Sequence, residues 1–153
     1  MATVSAGILC FRRVDHGVEV LVAHPGGPFW ARRDEGAWTI PKGELQQGEA
    51  PLAGAVREFH EETGVDVAGR NAFPLGTVTQ RSGKIVHAFA VECDLDPAAI
   101  ESNPVQLEWP RGSGKTIEFP EIDRVAWVSP ETALLKLNPA QADFIPRLLR
   151  GVQ

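Results

Sequence analysis

The 153-residue sequence contains no tyrosine, one methionine and only two cysteines. Cys10 and Cys93 lie far apart in apolar runs, and neither has the CxxC-type spacing of a metal or redox motif. Both read as buried core thiols. Basic runs are missing as well. Fifteen Lys and Arg face 20 Asp and Glu, giving a formal net charge of −5, which argues against a duplex nucleic-acid surface. An acidic chain of this kind that handled phosphates would need metal ions or a local basic patch. No stretch approaches the roughly 20 apolar residues of a membrane span. The start, MATVSAGILC, has no charged segment followed by a long apolar run, so it does not read as a signal peptide. The expected location is the cytoplasm.

What is present is ordinary for a globular protein: 43% hydrophobic and 23% charged residues, in a length that suits one domain over 1–153. Val4 to Phe11 and Val18 to Ala23 are predicted strands, joined at Asp15-His16-Gly17 as a hairpin. A loop of about fifteen residues, HPGGPFWARRDEGAW, follows, and loops of that length in compact domains are usually functional. A short strand is expected through Trp38 to Ile40. Ala50 to Thr63 is the clearest helix, with Pro51 in its first turn and Gly64 as its left-handed stop. Strands are predicted over Phe73 to Thr79, Ile85 to Cys93 and Arg124 to Val128. Asp96 to Trp109 reads as irregular with one helical turn after Pro97, and Arg111 to Lys115 as a loop. Ser129 caps a helix, and a last helix runs from about Pro139 to Leu149. Local and crossing connections together imply a mixed sheet covered by helices.

The first helix holds an anomaly. REFHEETG, from Arg57 to Gly64, places Glu58, Glu61 and Glu62 at the carbonyl end of a helix, where carboxylates are disfavoured. Like charges three or four residues apart add repulsion. Leu52, Val56, Phe59 and Thr63 form the apolar stripe, so Glu58 and Glu62 should lie away from it and near each other, with Glu61 beside them. A solvated helix face is the plain explanation. Carboxylates grouped this way also suit a hard divalent cation such as Mg2+, which takes oxygen ligands and shares phosphate oxygens.

The wider spacing is more specific. From Gly43 the chain reads GELQQGEAPLAGAVREFHEETGV. It resembles the Nudix box, GX5EX7REUXEEXGU with U a bulky apolar residue, at every fixed position; the mild departure is Phe59 where an aliphatic residue is usual. The resemblance implies an α/β/α sandwich with a mixed β-sheet between helices and a loop–helix–loop site for Mg2+, with Mn2+ as a substitute. Glu58, Glu61 and Glu62 would supply metal ligands, joined by the Gly43 carbonyl. Arg57 and Glu49 would form an orienting ion pair. One box glutamate would act as general base; the family varies in which, and Glu58 is favoured here. Members often recruit a later acid, for which Glu121 in EFPEIDRVAW is the candidate and Glu118 the alternate.

The box implies hydrolysis of a nucleoside diphosphate linked to another group but does not name that group. WTIPKG, from Trp38 to Gly43, resembles a stretch of diadenosine polyphosphate hydrolases and related pyrophosphohydrolases. VSAGILCFRR and HPGGPFWARRDEGAW are similar to a bacterial subgroup of predicted NTP pyrophosphohydrolases. Lys42 would face a polyphosphate chain. Diadenosine polyphosphate hydrolases often stack adenine on tyrosine, which this chain lacks, so a base platform must come from Trp30, Phe29, Trp109 or another aromatic. Arg111 and Lys115 would edge a phosphate pocket beside Trp109. GSGKT is not a P-loop, because Trp109 stands where the motif needs its first glycine. The expected substrate is a dinucleoside polyphosphate or other nucleoside polyphosphate. The alternatives are a MutT-type mononucleotide sanitiser and, in another class, a non-catalytic ligand-binding regulator, which usually goes with a damaged box.

Overall fold

The computed structural model describes residues 3–153; Met1 and Ala2, which begin both the predicted domain and the segment read for a signal peptide, lie outside them. Strands β1 (Val4–Val14) and β2 (Gly17–Pro25) form an antiparallel hairpin around Asp15 and His16. Alternation along β1 feeds two cores. Ala6, Ile8 and Cys10 join one apolar cluster, while Leu9 and Phe11 join the other. This is the two-residue period of a strand buried on both faces.

The remaining elements are β3 (Lys42–Glu44), helix α1 (Pro51–Thr63), β4 (Ala72–Thr79), β5 (Ile85–Glu92), β6 (Pro104–Glu108), β7 (Thr116–Pro120), β8 (Ile122–Val128), α2 (Pro130–Lys136) and α3 (Phe144–Gly151). The main sheet runs β4-β5-β1-β2-β8, with β3 also paired to β1. The β1–β5 pair is parallel and the others are antiparallel, so the sheet is mixed. Ala55 and Phe59 of α1 pack on one face, and Ala133 of α2 with Phe144, Ile145 and Leu148 of α3 on the other. The result is the expected α/β/α sandwich. Among the described residues no helix is long and apolar enough to cross a membrane. Cys10 and Cys93 are buried free thiols, and the Cys10 Sγ donates to the Cys93 carbonyl at 3.1 Å.

Four predicted elements differ. Trp38 to Ile40 is not a strand; isolated bridges tie Thr39 to Ala23 and Trp38 to Leu137. The stretch read as irregular contains β6, which pairs with β7 just beyond the predicted 111–115 loop in an antiparallel hairpin outside the main sheet, with that loop as its turn. The last helix starts later, as a 3-10 turn over Gln141–Asp143 leading into α3. Pro146 then falls in the first turn of α3, where its missing N–H costs nothing.

The fourth correction concerns α1. Its ends match: Pro51 sits in the first turn, and Gly64 at φ +80° donates its N–H to the His60 carbonyl at 2.8 Å. Its buried face matches only in part, since Phe59 and Thr63 are buried and Val56 packs against the core. Leu52 is exposed, and the buried positions are Gly54, Ala55, Phe59, Glu62 and Thr63. The helix packs against the 43–50 segment as well as the sheet, which rotates its inner face towards Glu62. Gly54 fits that contact because a Cβ there would strike Leu45 and the Glu49 carboxylate.

Candidate active site

Arg57 organises the acidic end of α1. Its Nε donates to Glu49 Oε2 at 2.8 Å and its Nη2 to Glu49 Oε1 at 2.9 Å, a two-pronged pair. Its Nη1 donates to Glu58 at 2.7 Å and more loosely to Glu61 at 3.2 Å, and its Nη2 also reaches the Glu44 carbonyl at 3.2 Å. The helix is thereby fixed to the loop before it. This guanidinium and the Gln46 backbone N–H hold the Glu49 carboxyl down at about 2.

Gly43 meets the same cluster from the other side. A Cβ on Gly43 would land on the Glu58 carboxylate, so only glycine lets β3 pass over that group. Burial, more than any neighbour, pushes the Glu58 carboxyl up against the pull of Arg57.

Glu62 is the most perturbed acid. It is 3% exposed, and its Oε2 has no hydrogen-bond partner. Burial, reinforced by Glu121 and Glu58 and opposed by Lys42, pushes its carboxyl up to about 9. Desolvation therefore outweighs the helix-end repulsion from which the sequence reasoning began. A buried oxygen without a partner is normally accounted for by something that binds it.

Beside Glu62 opens a cavity of about 280 Å3, bordered also by Trp30, Lys42, Lys84, Glu121 and Gln141. Four predicted site residues, Trp30, Lys42, Glu62 and Glu121, thus share one space. Burial and the neighbouring Lys84 push the Lys42 ammonium down, against Glu62, Glu121 and Glu58, which stabilise its charge. The lining thus combines two carboxylates with two lysines, a mixture suited to a metal-bound polyphosphate.

Other predicted residues stand elsewhere. Trp109 and Arg111 sit exposed at the end of the β6–β7 hairpin with Lys115, and none of the three lines this cavity. Glu118 is exposed on β7 and does not line it either. Phe29 borders an adjoining cleft.

Sequence reasoning passed over several residues that shape the cavity. Lys84 and Gln80 come from the β4–β5 turn, and the Gln80 N–H donates to the Lys84 carbonyl at 2.8 Å. Buried Gln141 accepts from the Ile40 N–H at 2.9 Å and donates to Gln80 at 2.9 Å, pinning the segment that leads into Lys42. His24 is fully buried, with Nδ1 3.0 Å from Asp123 and Nε2 2.7 Å from the Arg33 carbonyl. It links β8, two residues after Glu121, to the loop that carries Trp30.

These residues fit a divalent cation in donor chemistry. The carboxylates of Glu58, Glu61 and Glu62 and the Gly43 carbonyl are hard oxygen donors, and the Glu62 oxygen lacks a partner. They do not form a ready cage. Among the described residues no group of three His, Cys, Asp or Glu stands close enough to hold an ion. Glu58 and Glu61 are turned onto Arg57 instead.

A family model described as NUDIX domain matches residues 1–148. The chain belongs to the Nudix family. The family expected from the box therefore stands. A Myxococcus xanthus protein named octanoyltransferase is 35% identical over 108 residues, which are 69% of this chain and 27% of that protein. An 8-oxo-(d)GTP phosphatase of Mycolicibacterium smegmatis is 41% identical over 69 residues, 42% of this chain and 19% of that protein. The Nudix chain thus spans about a quarter or less of the length of these curated relatives. Among solved structures, a C. elegans Ap4A hydrolase binary complex superposes with a TM-score of 0.66 at 17% identity, covering 97% of each chain. At that identity the likeness is one of fold.

Proposed function

We propose that this Nudix chain hydrolyses a pyrophosphate bond in a nucleoside polyphosphate, preferentially a dinucleoside polyphosphate, with Mg2+ as cofactor and Mn2+ as a substitute. The observation that carries the reading is the shared cavity, which Glu62, Glu121, Lys42, Lys84 and Trp30 all border. The ion would be held by Glu58, Glu61, Glu62, Glu121 and the Gly43 carbonyl, and when bound it neutralises phosphate charge and lowers the pKa of water. Arg57 and Glu49 orient the ligands by locking α1 to its loop. Lys42 and Lys84 bind the phosphate chain and hold the reacting phosphorus near the acids. Glu58 is the favoured general base, since its half-buried, raised carboxyl is closer to neutral than an exposed one and better matched to accepting a proton from water. Trp30 offers an aromatic surface to a base.

A MutT-type mononucleotide activity is the second reading, favoured by the local likeness to the M. smegmatis phosphatase. The intact box disfavours a non-catalytic regulator. The test is chromatographic separation of the nucleotide products formed with Mg2+ from dinucleoside polyphosphates, NTPs including 8-oxo-dGTP, ADP-ribose and sugar nucleotides. Highest kcat/KM on dinucleoside polyphosphates, lost in Glu62→Gln, is expected. Inactivity on the whole panel, with no difference between wild type and Glu62→Gln, would refute hydrolysis. A preference for mononucleotides or ADP-ribose would refute the substrate assignment alone.

A further inference from the structure

The β6–β7 hairpin has no place in the main sheet, yet one of its faces is apolar. Val105 pairs with Phe119 and Leu107 with Ile117. Cross-strand partners share a face, and the two-residue period puts all four side chains on the same one. That face turns towards the 25–30 loop. Gly27 marks the approach: a Cβ there would come within 2.8 Å of the Phe119 ring, so a larger residue would push loop and hairpin apart.

Between loop and hairpin lies a second cleft of about 290 Å3, bordered by Phe29, Trp30, Val105, Leu107, Phe119 and Glu121. It adjoins the phosphate cavity, with Trp30 and Glu121 bordering both. Its mouth leaves apolar surface open: Phe29 is 52% exposed and Leu107 is 40% exposed. The aromatic wall is set in advance. The Phe29 and Trp30 rings meet edge to face at 4.9 Å, and the Arg33 guanidinium lies 4.3 Å from the Phe29 ring centre.

An occupant must therefore present a flat apolar body here and a phosphate chain next door. We propose that the cleft seats the base of the second nucleoside of a dinucleoside polyphosphate, held by the hairpin's apolar face and the Phe29–Trp30 wall. The proposal rests on the hydrolase reading above and adds to it the means by which a dinucleoside substrate is told from a mononucleotide. A mononucleotide has one base and leaves this cleft empty.

The test compares diadenosine tetraphosphate with ATP on the full chain, in wild type and in Leu107→Asp. Leu107 is a partly exposed hairpin residue, so the charge enters the cleft without opening a core. Seating one base on aromatic and apolar side chains is worth roughly 5- to 100-fold in affinity. Leu107→Asp should raise KM for diadenosine tetraphosphate by about that factor and leave KM for ATP within about twofold. Val105→Ser, a milder change on the same face, should move KM in the same sense by less. Unchanged discrimination in both variants, or an equal loss on both substrates, would overturn the proposal while leaving the hydrolase reading intact. A wild-type chain inactive on both substrates but active elsewhere on the panel would overturn this proposal and the substrate assignment, whereas inactivity on the whole panel would sink the hydrolase reading as well.

Discussion

Replacing Glu62 by Gln should make the metal-free protein more stable at neutral pH, by an amount that depends on pH. The ordinary glutamate value is 4.5, and burial raises this carboxyl to about 9 in the folded chain. An acid whose folded pKa lies above its unfolded one costs nothing below 4.5, where both states hold the proton. Folded-state stability then falls as pH rises from 4.5 towards 9, because the unfolded chain releases that proton first. At pH 7 the gap is about 2.5 pH units at 1.36 kcal/mol each, or about 3 kcal/mol. Gln keeps the shape and removes the titration. For a chain of this length that corresponds to roughly 6–12 °C in Tm. The assay is urea or thermal unfolding of wild type and Glu62→Gln in EDTA, from pH 5 to pH 8.5. The gain should be under about 1 kcal/mol at pH 5 and grow towards alkaline pH. A flat difference across that range, or a less stable variant at pH 8, would refute the claim that a desolvated carboxyl is the seat of the strain. With saturating Mg2+ the order should reverse, since only the wild type retains the full ligand set to gain binding energy.

The same raised carboxyl predicts that Mg2+ binding at pH 7 displaces about one proton from the protein, because the ligand must ionise. Calorimetry in buffers of different ionisation enthalpy would detect it, and zero proton release would contradict a protonated Glu62. Arg57→Lys removes the two-pronged contact to Glu49 and should cut kcat by about 10- to 100-fold with a smaller change in KM, through mispositioning alone; steady-state kinetics that show only a KM effect would refute an orienting role. Lys84→Met should raise KM for nucleoside polyphosphates about tenfold, the effect of one lost charge-assisted contact, and an unchanged KM would remove Lys84 from the phosphate site. His24→Gln leaves Asp123 or the Arg33 carbonyl without its partner and should cost about 1–3 kcal/mol of stability in urea unfolding; an unchanged midpoint would show that the buried imidazole bridge carries no load.

Much of the fold was legible because its signals are local. The α1 helix announces itself by Pro51 at one end and Gly64 at the other, and the β1–β2 hairpin by its turn. The β6–β7 hairpin gives a weaker signal. Val105 and Leu107 alternate with polar residues, as do Ile117 and Phe119, but each strand is only five residues long and none of its residues is fully buried. They are held by pairing with each other and by contact with the 25–30 loop, neither of which can be read from periodicity. Trp109 and Arg111 were assigned to a substrate site for the same reason. Without the hairpin, nothing indicated that its turn would carry them away from the cavity.

The site divides along the same line. Gly43, Glu49, Arg57 and the box acids occupy a fixed spacing, so a resemblance could mark them. Lys84 could not be found that way, because its position depends on sheet topology. Parallel pairing sets Ile85 opposite Val4, while antiparallel pairing sets Lys42 opposite Gly7. One end of β1 therefore gathers two lysines that are distant in sequence, one from each flanking strand. The burial of Glu62 was hidden for a subtler reason. A helical wheel assumes one buried face, whereas α1 packs on both the sheet and the loop that Arg57 ties to it. The apolar stripe drawn through Leu52 and Val56 was set by hydrophobicity alone. Gly54 and Ala55, small enough for the loop to come close, turn the inner face towards Glu62. The acid is buried because the scaffold that orients it demands that contact, so the closeness that fixes the site also makes its carboxylate costly until a cation binds.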